Sequence, residues 1–264
     1  MIQDPSQAEI KGVAKLTKKE ARSETGLFLL EGPQGLKEAL ERPKLIEKLF
    51  ATESFEEKYS ELITRARDSR VSVNIVSESV LKELSDTTTP QGVVAVCQQF
   101  HVSIEDVLAS KPKLVAFLAQ IRDPGNAGTV LRAADAAGAD AVVFSKGSVD
   151  IYNPKVVRST TGSMFHLPFV IDADITSSLS LFKQAGLAVL GADVAGNSLA
   201  SIDSAELAKP TLWLFGNEAW GLEPEVSALA DKLVQVPIFG AAESLNLATA
   251  ASVCMYASAF AQNS

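Results

Sequence analysis

The sequence predicts an α/β protein in which a doubly wound parallel sheet follows a smaller α/β domain. Leu114–Leu118 and Leu212–Phe215 are apolar on every residue and alternate with predicted helices, as in a parallel sheet covered on both faces. An earlier and shorter alternation of strands and helices ends in the polar stretch 101–112. We therefore divide the chain into domains 1–108 and 109–264.

The first domain is predicted to open with a helix over residues 7–24, because Ile10, Val13 and Ala14 supply part of an apolar face at helical spacing. Short β-rich runs then alternate with amphipathic stretches. The predicted strands are 27–30, 45–51, 71–76 and 92–96, and the predicted helices are 34–40, 54–69 and 77–84.

The second domain repeats this alternation with longer apolar strands. Its predicted strands are 114–118, 141–144, 168–171, 187–192, 212–215 and 233–236. Its predicted helices are 126–137, 153–162, 176–185, 224–230 and 245–261.

Charge and composition exclude several classes of function. The net charge of −8 argues against binding long nucleic acid by bulk electrostatics. No apolar stretch is long enough to span a membrane, and no leader pattern opens the chain, so a cytoplasmic protein is expected. Cys97 and Cys254 lie in apolar stretches and are predicted to be buried free thiols. No paired Cys/His spacing indicates a metal site.

One segment departs from the acidic average. Between residues 11 and 22 five basic side chains meet a single acid, Glu20. A solvated helix face explains this pattern, and so does an edge that faces the phosphates of a nucleic acid. The basic residues are Lys11, Lys15, Lys18, Lys19 and Arg22.

Three polar segments are expected at the carboxyl ends of strands, where open parallel sheets bind their ligands. In the first, Asn126 stands where a helix N-cap is wanted. Arg132 follows on a helix that is otherwise largely apolar, so its guanidinium needs an anionic partner, either a structural carboxylate or a ligand phosphate.

The other two segments follow later strands. Gly216-Asn217-Glu218 runs a buried strand into a loop that holds an amide and a carboxylate. Ser244-Leu245-Asn246 opens the final Ala-rich helix, with Ser244 as a candidate N-cap. Dinucleotide-binding, P-loop and serine-hydrolase motifs are absent from the sequence.

These segments resemble, in order and spacing, the three motifs of the SpoU/TrmH family of RNA ribose 2′-O-methyltransferases in the SPOUT superfamily. The first domain is similar to that family's substrate-binding domain, in Gly26–Gly32 and Asp86–Val93. The chain departs from the family at Ala219, where Gly is usual, and at Leu247-Ala248, where Val-Ser is frequent. Ala219 is expected to restrict the backbone conformation of its loop, because Gly reaches conformations that Ala resists.

The resemblance implies a SPOUT domain with a trefoil knot, S-adenosylmethionine as cofactor, no metal, an RNA substrate and a homodimer. It implies cofactor contacts at Gly216, Asn217, Val236, Ile238 and Leu245. It implies catalysis by Arg132, with Asn126, Glu218, Ser244 and Asn246 positioning it and the target nucleotide. Because a guanidinium stays protonated, the easier role for Arg132 is a phosphate clamp that steadies the developing alkoxide.

The two-domain arrangement favours ribosomal RNA as substrate, with the basic residues between 11 and 22 as the RNA footprint. The alternatives are a tRNA 2′-O-methyltransferase and a non-catalytic RNA-binding protein of the same fold. A metabolic α/β enzyme that binds a small anion at the start of helix 126–137 is a further alternative.

Overall fold

The computed structural model describes residues 2–4 and 6–264 and forms two compact units. The first unit comprises residues up to Phe100 together with Asp150–His166, and the second comprises His101–Val149 and Leu167–Ser264. The sequence-based division into 1–108 and 109–264 stays a prediction. The structure adds that a segment from the second half of the chain completes the first unit.

Each of the ten predicted strands is present in the described part of the chain. The strands are β1 (Leu27–Glu31), β2 (Ile46–Ala51), β3 (Ser72–Ile75), β4 (Val93–Gln98), β5 (Leu114–Leu118), β6 (Ala141–Ser145), β7 (Phe169–Ala173), β8 (Ala188–Ser198), β9 (Thr211–Phe215) and β10 (Lys232–Gln235). The α-helices are α1 (Ala8–Ala14), α2 (Lys19–Thr25), α3 (Pro33–Ala39), α4 (Glu53–Lys58), α5 (Ser60–Asp68), α6 (Glu78–Leu84), α7 (Ile104–Ala109), α8 (Pro124–Ala136), α9 (Pro154–Thr160), α10 (Ile175–Gln184), α11 (Ser204–Leu207), α12 (Pro224–Ser227) and α13 (Leu247–Gln262).

The first unit is built on a four-stranded sheet of order β1-β4-β2-β3. Strand β4 runs antiparallel to β1 and β2, whereas β2 and β3 are parallel. Thr52 and Ser77 begin α4 and α6 by accepting hydrogen bonds from backbone N–H groups with their side chains, as N-cap residues do.

Two helices predicted in this unit are divided. The predicted helix 7–24 consists of α1, a 3₁₀ turn over Lys15–Thr17, and α2. The break falls at Lys18, whose backbone is extended with φ −98° and ψ 140°. The predicted helix 54–69 is interrupted at Tyr59, so that α4 and α5 follow one another.

The break before α2 moves Arg22 away from the exposed basic face that the helical pattern predicted. Arg22 is only 2% exposed. Its Nε and Nη2 donate to Asp150 Oδ2 at 2.9 and 2.6 Å, and its Nη1 donates to the Leu16 carbonyl at 2.8 Å. Arg22 is therefore a structural residue of this unit. Its predicted place in the RNA footprint is wrong, because its guanidinium is buried and paired with Asp150.

The segment 150–166 supplies a second ion-paired arginine to the same unit. Arg158 donates from Nη1 to Glu31 Oε1 at 3.1 Å and from Nη2 to Asp86 Oδ2 at 2.9 Å. Glu31 also accepts from the Asp86 backbone N–H and from the Thr87 hydroxyl, at 3.0 and 2.9 Å. This network fixes the loop before β4 against the end of β1.

The second unit is built on a six-stranded parallel sheet of order β10-β8-β9-β5-β6-β7. Every residue of β5, β6 and β9 is buried, as expected for central strands with helices on both faces. From β5 the chain moves outward through β6 to β7, and the later strands occupy the other side. The topological switch point therefore lies between β5 and β9, where ligands bind in open sheets.

Two local features of this unit were not predicted. Ser103 and Asp106 form a capping box that begins α7 inside the stretch 101–112, which the sequence pattern left without structure. Strand β8 continues to Ser198, and its pairing shifts so that consecutive β10 residues face Gly191 and Asn197.

Residues 192–196 of β8 lie between these two pairing points and have no β10 partner. A Cβ at Gly196 would lie 2.4 Å from Val234 N, so glycine permits the close approach of β10. The predicted trefoil knot stays a prediction.

The two cysteines are buried and free, as predicted. Burial raises the pKa of Cys97 and raises the pKa of Cys254 to about 12. No helix in residues 2–4 and 6–264 combines the length and the apolar character needed to cross a membrane.

We predict that Arg22→Ala destabilises the protein by roughly 3 kcal/mol, because the Asp150 carboxylate then loses its buried partner. Lys18→Ala is the matched control, since Lys18 is exposed. Urea unfolding of both variants measures the effect. Equal midpoints for the two variants would show that the Arg22–Asp150 pair contributes nothing.

Candidate active site

Asn217 connects the loops that follow β5 and β9 at the switch point. It is 5% exposed, and its Nδ2 donates to the Gln120 carbonyl at 2.7 Å. Its Oδ1 accepts from the Ala219 N–H at 2.8 Å, and its backbone exchanges two 2.9 Å hydrogen bonds with Gly221. The loop 216–221 is thereby held in one conformation.

Glycine is required at two positions of this loop, and Ala219 is not one of them. A Cβ at Gly216 would lie 2.2 Å from the Gly221 carbonyl carbon, and Gly221 has a φ of 71° that favours glycine. Ala219 is absent from the described residues with positive φ. Its departure from the usual family motif therefore introduces no backbone strain.

Glu218 binds the first polar segment. Its carboxylate accepts from the backbone N–H of Arg122 at 3.2 Å and of Asp123 at 3.0 Å. Asn126 Nδ2 is a third and longer donor, 3.5 Å from Glu218 Oε1. The loop before α8 is thus fastened to the loop after β9.

Asn126 also binds the third segment, because Asn246 Nδ2 donates to Asn126 Oδ1 at 2.9 Å. Glu218, Asn126 and Asn246 therefore form one chain of hydrogen bonds that links the three sequence segments. The sequence predicted that the three segments lie at the carboxyl ends of strands, but it did not predict these hydrogen bonds.

The two predicted N-caps are wrong by two or three residues. Asp123, not Asn126, caps α8, with its carboxylate accepting from the Asn126 N–H at 2.7 Å and Pro124 in the first turn. Asn246, not Ser244, caps α13, accepting from Ala248 and Thr249 N–H at 2.9 and 3.3 Å. Asn126 and Ser244 consequently have side chains that capping does not consume.

A cavity of about 360 Å³ lies beside this chain of hydrogen bonds. All five predicted cofactor residues line it, together with Glu218 and Ser244. The lining comprises Ala192, Asp193, Val194, Phe215, Gly216, Asn217, Glu218, Ala219, Trp220, Gly221, Val234, Gln235, Val236, Ile238, Ser244, Leu245, Leu247 and Ala250. Asn126, Arg132 and Asn246 are not part of this wall.

The cavity wall carries negative charge and no positive charge. Asp193 and Glu218 are its only ionisable side chains, and no Lys, Arg or His lines it. The remaining wall is mostly apolar, with loop backbone and a few neutral polar side chains. Such a surface suits a ligand that has a flat apolar part and a cationic centre.

Arg132 is exposed on α8. Across residues 2–4 and 6–264 no hydrogen bond or ion pair engages its guanidinium. Of the two partners that the sequence left open, the structural carboxylate is therefore not found within the described chain.

Sequence reasoning missed three residues that shape the site. Asp123 caps α8, and the signal that identifies it is an Asp directly before a Pro, a recognised start of a helix. Gln120 has a φ of 55°, a strained geometry typical of functional loops that no local pattern signals. Trp220 lines the cavity and is 46% exposed.

A parallel α/β sheet with a cavity at the carboxyl ends of β8, β9 and β10 has the architecture of an enzyme domain that binds a small ligand. The model of the SpoU rRNA methylase family matches residues 113–256. The model of the MRM3-like substrate binding domain matches residues 7–95. The chain belongs to the SpoU rRNA methylase family.

Individual relatives are similar to this chain over nearly its whole length. A 23S rRNA (guanosine(2553)-2′-O)-methyltransferase of Bacillus subtilis is 32% identical over 97% of both chains. A 23S rRNA (uridine(2479)-2′-O)-methyltransferase of Streptomyces viridochromogenes is 30% identical, over 92% of this chain and 86% of the relative.

A solved structure supports the same assignment. The AdoMet-bound rRNA methyltransferase from Sinorhizobium meliloti superposes with a TM-score of 0.83 at 29% identity, over 97% of this chain and 96% of that chain. These matches confirm the predicted family, the SPOUT-type α/β fold, the enzyme class of RNA 2′-O-ribose methyltransferases and S-adenosylmethionine as cofactor.

We predict that Gly216→Ala lowers the melting temperature by several degrees and disturbs the cavity, because the added methyl meets backbone that cannot move aside. Gly240→Ala is the matched control, since nothing lies within 4 Å of a Cβ there. Differential scanning calorimetry compares the two variants. A Gly216→Ala protein as stable as the control would contradict this close approach.

Proposed function

We propose that the protein transfers the methyl group of S-adenosylmethionine to a ribose 2′-hydroxyl of ribosomal RNA. The observation that carries this proposal is the hydrogen-bonded chain Glu218–Asn126–Asn246 beside the cavity. The relatives named above as 23S rRNA methyltransferases support ribosomal RNA over tRNA. We further propose that the protein works in the cytoplasm.

We propose that the cofactor binds in the cavity lined by Gly216, Asn217, Val236, Ile238 and Leu245. The volume of about 360 Å³ falls in the range of small-ligand sites, about 300–1,000 Å³. The absence of cationic side chains from the wall, with Asp193 and Glu218 present, favours a ligand with positive centres. When bound, S-adenosylmethionine supplies an electrophilic methyl group.

The chain's own residues align the reacting oxygen with that methyl group. Glu218 accepts a hydrogen bond from the backbone of the loop before α8. The side-chain amides of Asn126 and Asn246 are hydrogen-bonded to each other beside this loop. Ser244 lines the cavity, and its side chain does not serve as the N-cap of α13. Alignment of this kind removes much of the entropic barrier to a displacement reaction.

Arg132 is assigned to the phosphate beside the target ribose. Its guanidinium is exposed and carries a fixed charge, so it attracts the RNA backbone and stabilises the oxyanion that develops at the 2′ position. In this role it needs no contact with the cofactor cavity, whose wall it does not join.

A homodimer is proposed through the exposed face of α13. Val253 is 40% and Phe260 69% exposed on this helix. Tyr256 packs 5.5 Å from the Phe260 ring and donates to the Ala136 carbonyl at the end of α8. Apolar side chains exposed together on a surface mark an association site. Sedimentation equilibrium tests this assembly, and a monomer at micromolar concentration would refute it.

The principal test maps 2′-O-methyl marks in total RNA from cells with and without the protein. We expect one mark to disappear from ribosomal RNA. Loss confined to tRNA would overturn the choice of substrate. No loss, together with no binding of S-adenosylmethionine in calorimetry, would favour the non-catalytic RNA-binding alternative.

Arg132→Ala is expected to lower kcat by roughly a hundredfold or more, as removal of an oxyanion-stabilising group does. The Kd for S-adenosylmethionine is expected to stay unchanged, because Arg132 lies outside the cavity wall. Thr129→Ala, an exposed change on the same helix, is the control. Full activity of Arg132→Ala would remove Arg132 from the reaction.

The RNA footprint is proposed to be the lysine patch, now without the buried arginine. The patch consists of the exposed Lys11, Lys15, Lys18 and Lys19. Replacing all four by Ala is expected to weaken RNA binding and to reduce the slope of log Kd against log salt by up to about 3. Filter binding at several salt concentrations measures this slope.

The matched control removes four exposed lysines of the same unit that lie outside the patch: Lys37, Lys44, Lys58 and Lys82. Both variants change the net charge equally. Equal losses of affinity would mean that RNA responds only to overall charge, and the patch would have no special role.

A further inference from the structure

An exposed tryptophan lies at the cavity wall with an arginine over its ring. Trp220 is 46% exposed, and Arg122 Cζ lies 5.1 Å from the ring centroid. Within the described chain no carboxylate engages the Arg122 guanidinium. We call Trp220 and Arg122 the stacking pair.

The stacking pair is held in place by the site itself. The backbone hydrogen bonds between Asn217 and Gly221 close the loop that carries Trp220. The backbone N–H of Arg122 donates to the Glu218 carboxylate. The backbones that carry both members are therefore held next to the hydrogen bonds of Glu218 and Asn217, although neither member contributes a side chain to those bonds.

Core packing does not explain an indole in this position. A tryptophan that serves stability is largely buried, as Trp213 is at 0% exposure, because its value lies in removing apolar area from water. Trp220 leaves nearly half of its surface open. An aromatic ring with a guanidinium beside it is the surface on which proteins stack unpaired bases of RNA.

We propose that the stacking pair binds an unstacked nucleobase of the RNA substrate, at the target nucleotide or its immediate neighbour. This inference rests on the proposed function and identifies one subsite of it. A base on the Trp220 ring lies beside the wall that also carries Glu218 and Ser244. Its ribose is then within the region where the 2′-hydroxyl must be aligned.

The charges around Trp220 favour a nucleobase over the cofactor as the ligand that stacks on its ring. The cavity wall contains two acids and no base, whereas the Arg122 guanidinium adds positive charge beside Trp220. A cationic cofactor is disfavoured next to a guanidinium, and a nucleotide with its phosphate is favoured there. Stacking of the cofactor's own adenine on Trp220 is the competing outcome.

The test compares Trp220→Leu, which removes the aromatic ring, with Trp220→Phe, which keeps one. We expect Trp220→Leu to raise the KM for RNA roughly tenfold or more, and Trp220→Phe to raise it far less. Because Trp220 also lines the cofactor cavity, the Kd for S-adenosylmethionine, measured by calorimetry, is expected to change much less than the KM for RNA in both variants. Leu181→Ala is the control, since Leu181 is an exposed apolar residue on α10 that lies outside the cavity wall.

Fluorescence supplies a second readout that does not depend on turnover. The chain has two tryptophans, and Trp213 is fully buried. RNA is therefore expected to quench the emission of the wild-type protein through Trp220 and to leave Trp220→Phe unquenched. Quenching that persists in Trp220→Phe would overturn the inference.

Two kinetic results would also overturn it. One is an active wild-type enzyme whose KM for RNA does not change in Trp220→Leu. The other is a raised Kd for S-adenosylmethionine with the KM for RNA unchanged, which would assign the ring to the cofactor. Failure of the proposed function is distinguishable, because the wild-type protein would then neither bind S-adenosylmethionine nor methylate RNA.

Discussion

The site depends on the hydrogen bonds that one carboxylate accepts. Glu218 follows β9, yet its carboxylate oxygens accept hydrogen bonds from the backbone N–H groups of Arg122 and Asp123, which follow β5. Asn126 and Asn246 extend this link to the start of the last helix. The carboxylate and the two amides thus join the loops after β5 and β9 to the start of α13 by hydrogen bonds.

Around this link the second unit separates its charges. The cavity wall contains only acidic ionisable groups, while the cationic side chains of Arg122 and Arg132 lie outside that wall. A sulfonium cofactor and an RNA phosphate require opposite surroundings. Under the proposed function, this separation lets two oppositely charged ligands occupy neighbouring positions without competing for the same surface.

Sequence reasoning succeeded where a signal was local. The central strands were readable because burial on both faces demands an apolar residue at every position. It failed where the deciding partner was remote. Arg22 has the same local appearance as the exposed lysines near it, but its carboxylate partner is 128 positions away. Asp123 and Asn126 are both good caps in one turn, and only the structure decides between them.

The first unit is not finished by the part of the chain that begins it. Its two arginine networks need Asp150 and Arg158, which the ribosome makes only after β5 and β6. Synthesis at about 5–20 residues per second places roughly 3–10 s between Gln98, the last residue of β4, and Asp150. During that interval the nascent sheet β1–β4 must persist without its closing segment. For a short period of translation, therefore, all four strands of this unit have been made, but Arg22 and Glu31 still lack their partners Asp150 and Arg158.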